Sequence, residues 1–336
     1  CRARDAIVST PRCHYYGEYG TAGGIIGTNE VDALPSYNFK EGHVPDAYMI
    51  SGQCLKEQGY LLRRETCFAC TIACKRYTRT KKNYLGSMAG GPEYESIAAL
   101  GSCCGVTEMD AILKANELCN IYGLDTISTG TVISWAMECF EKGLIKPDDV
   151  GGLHLEWGNC DVVIALIEMI AFRRGFGDIL AEGVRIAAKI VGGDSWKWAI
   201  EAKGLEQSGT DTRVAKAYAL AFATNPRGPD HLYGQPMAEY GITPEARAII
   251  KKITGSEKYA DPIIVDKKPE IVKWHEEVFT ITDCLGLCSR ATLSTYAVTP
   301  EMMAGMYAAA LGIEVGEEDL FKAAQRVINV ERCFTV

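Results

Sequence analysis

Apolar residues recur at helical spacing through the middle of the chain. Ile112, Ala115, Cys119 and Tyr122 form one stripe. Thr107 is placed to cap that helix, Asp110 to reach back as a capping-box acid, and Gly123 to take the left-handed position at its end. Asp125 can cap the next helix, which carries Val132, Ile133, Ala136, Met137 and Phe140 before Gly143. The pattern predicts further helices over 160–174 and 179–191, then over 214–223, 300–311 and 317–331. Ile97-Ala98-Ala99-Leu100 reads as a buried helix with Glu93 and Glu95 near its first turn, where acids suit the helix dipole. Strand signals are sparse, so the expected fold class is mainly α, in two helix-rich domains. The pattern breaks into a polar loop near residues 202–213, which places the domains at 1–203 and 204–336.

Two regions lack such periodicity. Residues 1–65 read as loops between short segments, with Gly17, Gly20, Gly23, Gly24, Gly27, Asn29 and Pro35 as punctuation. Within them Thr21–Gly27 could open a helix and cradle an anion, but a lone Gly-rich run is a weak signal and plain turn chemistry is the better account. Residues 250–270 are charged and poor in apolar content, and read as a surface excursion.

Composition narrows the class. The chain has 336 residues, 47% hydrophobic and 23% charged, with a net charge of −8. That balance points away from nucleic acid or an anionic membrane as the main partner. No stretch approaches eighteen consecutive apolar residues, so no membrane span is expected, and there is no secretory pattern at the start. Fourteen cysteines without the spacing of a disulfide framework suit a reducing, cytoplasmic setting. The chain opens at Cys1-Arg2-Ala3-Arg4 and stops at Arg332-Cys333-Phe334 as if cut mid-pattern, so a longer protein is expected.

The chemistry concentrates in Thr66-Cys67-Phe68-Ala69-Cys70-Thr71-Ile72-Ala73-Cys74, expected in a tight turn and the start of a helix. Three thiols so close can ligate a metal but cannot all pair as disulfides. Closed zinc sites use paired Cys or His, and no nearby residue completes one. A cubane iron–sulfur cluster tolerates three local thiolates with one remote cysteine. A zinc site or a redox-sensing trio are the alternatives.

Downstream, Thr224-Asn225-Pro226-Arg227-Gly228-Pro229-Asp230-His231 stops a helix and displays Arg227, Asp230 and His231 on a rigid loop. One internal echo joins the two halves. Asn120-Ile121-Tyr122-Gly123-Leu124-Asp125 and Asp283-Cys284-Leu285-Gly286-Leu287-Cys288 share the form polar-x-x-Gly-Leu-(Asp/Cys). Each alone is a common helix end; together they suggest a two-sided site.

The cysteine run, Gly-Pro-Glu-Tyr-Glu, Gly-Leu-Asp-Thr-Ile-Ser, Asn-Pro-Arg-Gly-x-Asp-His and Asp-x-x-Gly-Leu-Cys occur in this order over essentially the whole chain. In this the chain resembles the second and third domains of the aldehyde:ferredoxin oxidoreductase family; that family's N-terminal β domain is expected to lie outside it. The resemblance implies tungsten, or molybdenum, between two pterin dithiolenes, beside a [4Fe-4S] cluster ligated by Cys67, Cys70, Cys74 and Cys288. It implies a Mg2+ bridging the pterin phosphates. It implies pterin recognition by Asn120, Gly123, Leu124 and Asp125 on one side and by Asp283, Gly286 and Leu287 on the other. A carboxylate such as Asp283 accepts both N–H groups of a pterin edge, whereas the amide of Asn120 departs from the family's acid and offers one acceptor. Asp211-Thr212-Arg213 departs from the family's Asp-Pro-Arg. Lys75 and Arg76 would offset cluster charge.

Glu95 and His231 match the family's glutamate and histidine near the metal, which implies proton transfer and substrate orientation. The implied reaction is oxidation of an aldehyde to a carboxylic acid, with electrons leaving to ferredoxin or a partner subunit. The expected assembly is a homodimer or a hetero-oligomer. A second reading in the same family is a benzoyl-CoA reductase type of catalytic subunit acting on an aromatic substrate, with Cys103-Cys104 offering an extra thiolate near Glu95. A third is a non-catalytic iron–sulfur electron-transfer protein.

Overall fold

The computed structural model describes residues 2–335. The fold is mainly α, as expected, and the chain divides into two compact units: Tyr16–Asp211, and Thr212–Val336 with Cys1–Tyr15.

The unit Tyr16–Asp211 is built on the helices Tyr94–Leu100, Met109–Tyr122, Thr126–Glu141, Cys160–Ala171 and Val184–Val191. Their apolar faces meet in one core that includes Leu100, Ile112, Ile133, Trp135, Met137 and Leu166. Gly130 lets two of these helices close up. A Cβ there would lie 2.4 Å from the Ala99 carbonyl carbon. The predicted helix over 179–191 is interrupted: Phe176–Leu180 and Val184–Val191 are separate, divided at Gly183 in the left-handed region. Glu206 caps the second piece, accepting from Val184 N at 2.8 Å, and also accepts from Ser128 Oγ at 2.8 Å.

Asp110 is not a capping-box acid. It is buried, and accepts from the backbone N–H of Lys81 and Lys82 at 2.5 and 3.1 Å and from the Tyr60 hydroxyl at 3.0 Å. The region read as loops holds short helices, Pro11–Tyr19, Gly24–Glu30 and Gly52–Glu57. Thr21–Gly23 is a 3-10 turn packed against Gly52, whose Cβ would lie 2.6 Å from Gly23 N, and it leads directly into the helix Gly24–Glu30, so the stretch is a turn that does open a helix.

The other unit packs Arg2–Ser9, Lys216–Thr224, Pro244–Thr254, Lys268–Cys284, Pro300–Leu311 and Glu317–Thr335. Ile271, Val278, Phe279, Leu293, Met303 and Leu320 form its core. The segment read as a surface excursion, 250–270, takes in the end of the helix Pro244–Thr254, a 3-10 turn, Glu257–Ala260, and the start of the helix Lys268–Cys284. It is tied down by a buried ion pair, Lys268 Nζ to Glu239 Oε1 at 3.0 Å. Glu239 also accepts from Ala217 N at 2.6 Å, and Lys268 donates to Asp261 O at 2.8 Å, so both buried charges have partners. No single helix among the described residues is long and apolar enough to cross a membrane.

The cysteine run does not begin a helix. It connects β1 (Leu61–Glu65) to β2 (Lys75–Arg79), which pair antiparallel in a sheet completed by β3 (Met88–Gly90). The loop is fastened by Arg76, which points inward and is 2% exposed. One terminal nitrogen of its guanidinium donates to Ala73 O and Lys75 O at 3.1 and 2.9 Å. The other donates to Tyr16 O and Gly17 O at 2.7 and 2.9 Å. Gly20, also left-handed, leaves the room required: a Cβ there would lie 3.1 Å from Arg76 Nε and 3.2 Å from Cys74 O.

Two predictions follow from this packing. Arg76→Ala strands four carbonyls and should lower stability in a denaturant titration by ~3 kcal/mol or more. Arg76→Lys should not restore it, because an ammonium lacks the planar fork. The second concerns His275, fully buried, with Nδ1 on Ile271 O at 2.7 Å and Nε2 on the Tyr296 hydroxyl at 2.9 Å. Burial lowers its pKa from 6.5 to about 4. The unfolded chain therefore takes up a proton below pH 6.5 that the folded chain refuses until about pH 4. Stability linked to this residue is complete above 6.5 and falls by about 3 kcal/mol as pH drops through that window. His275→Gln should lose that slope relative to the parent in denaturation measured from pH 7 to pH 4.

Candidate active site

Cys67 is exposed, Cys70 and Cys74 are half-buried, and none of the three is in a disulfide. The loop bends through two left-handed residues, Ala69 and Ala73, and Cys70 N donates to Cys67 O at 3.1 Å. Among the described residues, no group of three or more His, Cys, Asp or Glu converges as a ready-made metal site. The donor set nonetheless suits a sulfur-rich anionic group. Beside it, Arg76 Nε is buried with no hydrogen-bond partner, and Cys74 bears electrostatically on that guanidinium. Cys288, in the other unit, is also exposed and free.

Glu95 lies in the first turn of the helix Tyr94–Leu100. Its Oε2 accepts from Gly209 N at 2.6 Å, and the neighbouring Tyr94 hydroxyl donates to Gly209 O at 2.7 Å. The approach is close: a Cβ at Gly209 would come within 2.9 Å of that carboxylate oxygen, which would have to shift. Asp211 and Cys103 belong to the same neighbourhood: the charges of Glu95 and Asp211 add to burial and to Cys104 in pushing the Cys103 thiol well up. Sequence reasoning found Glu95 but missed Gly209 as its partner, because the contact spans 114 residues. Glu93 accepts from the Thr21 hydroxyl, which in turn accepts from Tyr94 N at 2.9 Å.

The two echo motifs have the same local fold. Gly123 and Gly286 are both left-handed. Leu124 N donates back to Cys119 O, and Leu287 N to Thr282 O, each at 2.9 Å, the six-to-one bond of a Schellman end. Asn120 donates to Gly90 O at 3.1 Å, and Asp125 caps the following helix by accepting from Ser128 N at 2.7 Å. In the other unit, Asp283 is near Arg227 and Glu331. The protein packed around its carboxyl pushes the pKa up; Arg227 opposes the rise and Glu331 adds to it.

His231 is buried, 8% exposed. The adjacent Asp230 carboxylate pairs with Arg227 and accepts from Leu232 N at 2.7 Å, which fixes the loop. A cleft lined by Tyr240, Arg247, Glu257 and Asp261 contains none of the residues singled out from the sequence.

Comparison with known proteins adds the family. The family described as aldehyde ferredoxin oxidoreductase, domains 2 and 3, matches residues 2–336. The chain is 37% identical over 326 residues to a tungsten-containing aldehyde ferredoxin oxidoreductase of Pyrococcus horikoshii, covering 95% of this chain and 50% of that protein. It is 36% identical over 321 residues to the protein of that name from Thermococcus kodakarensis, again covering 95% and 50%. An aliphatic sulfonate oxidoreductase, WOR-like subunit, of Pyrococcus furiosus is 28% identical over 238 residues, covering 68% of this chain and 38% of that protein.

The fold is shared with a solved structure described as the active site complex BamBC of benzoyl coenzyme A reductase in complex with 1,5-dienoyl-CoA. The TM-score is 0.70 at 22% identity, over 91% of this chain and 50% of that one. The chain spans about half the length of the aldehyde ferredoxin oxidoreductases it matches. With the match running over all its described residues, the chain belongs to the aldehyde ferredoxin oxidoreductase family, in the part that corresponds to domains 2 and 3.

Proposed function

We propose that this chain carries the two helical domains of a tungsten- or molybdenum-pterin oxidoreductase that converts aldehydes to carboxylic acids. The observation that carries the reading is the trio Cys67, Cys70 and Cys74, outside any disulfide and displayed on one hairpin loop fastened by a buried arginine. Cys67, Cys70, Cys74 and Cys288 would hold a [4Fe-4S] cluster. Asn120, Gly123, Leu124 and Asp125 would face one pterin, and Asp283, Gly286 and Leu287 the other, with Mg2+ between their phosphates. The bound cofactor supplies the two-electron chemistry; the chain supplies orientation and proton transfer.

Glu95 is the base in this scheme. Gly209 N–H fixes its Oε2, and the carboxylate would take a proton from attacking water or a hydrated carbonyl. His231, buried on a loop braced by Arg227 and Asp230, orients the substrate. Electrons leave to ferredoxin or a partner subunit, and the cytoplasm is the setting proposed.

The ring-reducing alternative, on a benzoyl-CoA-like substrate, asks for a thiolate at Cys103 or Cys104. Both thiols are fully buried. Cys103 Sγ donates to Pro35 O at 3.5 Å and Cys104 Sγ to Ala99 O at 3.4 Å, and burial pushes both pKa values up. They fit neutral core thiols better than metal ligands.

In anaerobically purified full-length protein, iron together with tungsten or molybdenum is expected, with aldehyde-dependent viologen reduction. Glu95→Gln should cut kcat by about 10²–10⁴ with metal content unchanged. Cys70→Ser should lower iron content. Turnover of benzoyl-CoA but not of aldehydes would overturn the substrate assignment. Iron without tungsten or molybdenum would favour an electron-transfer protein, and zinc alone would defeat both readings.

A further inference from the structure

We infer that the outer face of the β1–β2–β3 sheet is the docking surface for a small acidic one-electron carrier protein. Between residues 61 and 82 the sequence holds seven lysines and arginines against one acid, Glu65. That local balance of +6 sits in a chain of net charge −8, so the rest of the chain carries −14. Six of the seven cations are exposed; Arg76 alone turns inward.

Strand pairing sets Arg63 beside Tyr77, Glu65 beside Lys75, and Arg79 beside Met88. Side chains alternate across a sheet, and Arg76 and Thr78 take the buried face. The outer face therefore presents Arg63, Lys75 and Arg79 around Tyr77 and Met88. Arg63 stacks over the Tyr77 ring at 4.2 Å and donates to Glu65 Oε1 at 2.7 Å, which neutralises the one acid. At one end, Phe68 stands fully exposed between Cys67 and Ala69 in the thiol loop. At the other, Lys81 and Lys82 have their backbone fixed by the buried Asp110.

In a net-acidic protein such a patch attracts an acidic partner that acidic surface repels, so the patch decides orientation as well as attraction. Arginine, methionine and aromatic side chains are the types that interfaces favour. Redox encounters need only a small interface, and one sheet face with its loop supplies that. The inference rests on the proposed cluster at Cys67, Cys70 and Cys74, because it places the partner against that loop. One electron leaves the reduced cluster and one enters the oxidised carrier, with no bond made or broken. The proposed two-electron oxidation therefore needs two encounters.

The test uses anaerobically purified full-length protein and an oxidised acidic ferredoxin as the probe. Kd is measured by calorimetry at low and high salt, and iron content is measured on the same samples. Arg63→Glu with Arg79→Glu and Lys82→Glu should raise Kd by about tenfold or more at low salt and flatten the salt dependence. Viologen reduction should not change, and the corresponding Gln set should act in the same direction if the Glu set folds poorly. Phe68→Ala should raise Kd by about fivefold and leave the salt dependence intact.

Iron-loaded protein whose affinity ignores these substitutions overturns the docking face and keeps the cluster. Iron-free protein that still binds ferredoxin at this face keeps the docking face and overturns the cluster. An oligonucleotide bound there as tightly as ferredoxin overturns the carrier as occupant.

Discussion

The guanidinium of Arg76 is a charge taken out of water, at a cost of several kcal/mol, and held in place by backbone carbonyls alone. Two of those carbonyls come from its own loop and two from Tyr16 and Gly17, at the end of the helix Pro11–Tyr19. One side chain thus fastens the thiol loop to a separate part of the unit. The loop needs fastening, because Ala69 and Ala73 both sit in the left-handed region, which costs an alanine about 1 kcal/mol or more. The carbonyl of Ala73 is among those Arg76 grips, so the cation opposes the strain where it arises. Lysine, with a point charge and no planar fork, could not reach the same four acceptors at once.

Buried acids do the complementary work elsewhere in the unit Tyr16–Asp211. Asp110 stitches the end of β2 to the helix Met109–Tyr122, and Glu206 joins Val184 to Ser128. Glu138 accepts from Asn38 at 2.7 Å, and burial pushes its carboxyl above the ordinary range. Each ties segments that are distant in sequence. The helices supply the core, but such polar contacts decide where the loops run. Glu95 on Gly209 is one more contact of this kind, placed where the chemistry is proposed.

Legibility followed the source of each signal. The helices Met109–Tyr122 and Thr126–Glu141 are readable because an apolar stripe and a terminal cap coincide in each. The caps at Gly123 and Asp125 were correctly placed. The helix Lys268–Cys284 was not found; its buried face mixes Lys268, His275 and Glu277 with Ile271 and Phe279, which blurs the stripe. β1 and β2 escaped notice because their residues are mostly charged, and no alternation of apolar and polar betrays a strand. Hence the cysteine run was assigned to a turn and helix start rather than to a hairpin loop. Asp110 looked like a cap because sequence records its distance from Thr107 but not its distance from Lys81. Glu95 was visible through its motif, whereas Gly209 and Asp211 acquire meaning only once the loop folds back.

Burial also sorts the sulfur. Cys13, Cys54, Cys103, Cys104, Cys119 and Cys139 are buried, while Cys67, Cys284, Cys288 and Cys333 are exposed. Burial pushes Cys119 and Cys139 up to about 12 and Cys160 to about 11, which keeps them as small apolar fillers. Since the thiolate is the form that binds a metal, the core cysteines are poor competitors for iron. In the unit containing Thr212–Val336, Cys284 ends a helix, whereas Cys288 follows the left-handed Gly286. Asp125 holds the matching place after Gly123. Asp125 spends a carboxylate oxygen on Ser128 N–H, but the turn after Cys288 is closed by its carbonyl, which accepts from Ala291 N at 3.0 Å. The same backbone device thus uses its side chain to cap a helix in one unit and closes through the main chain in the other.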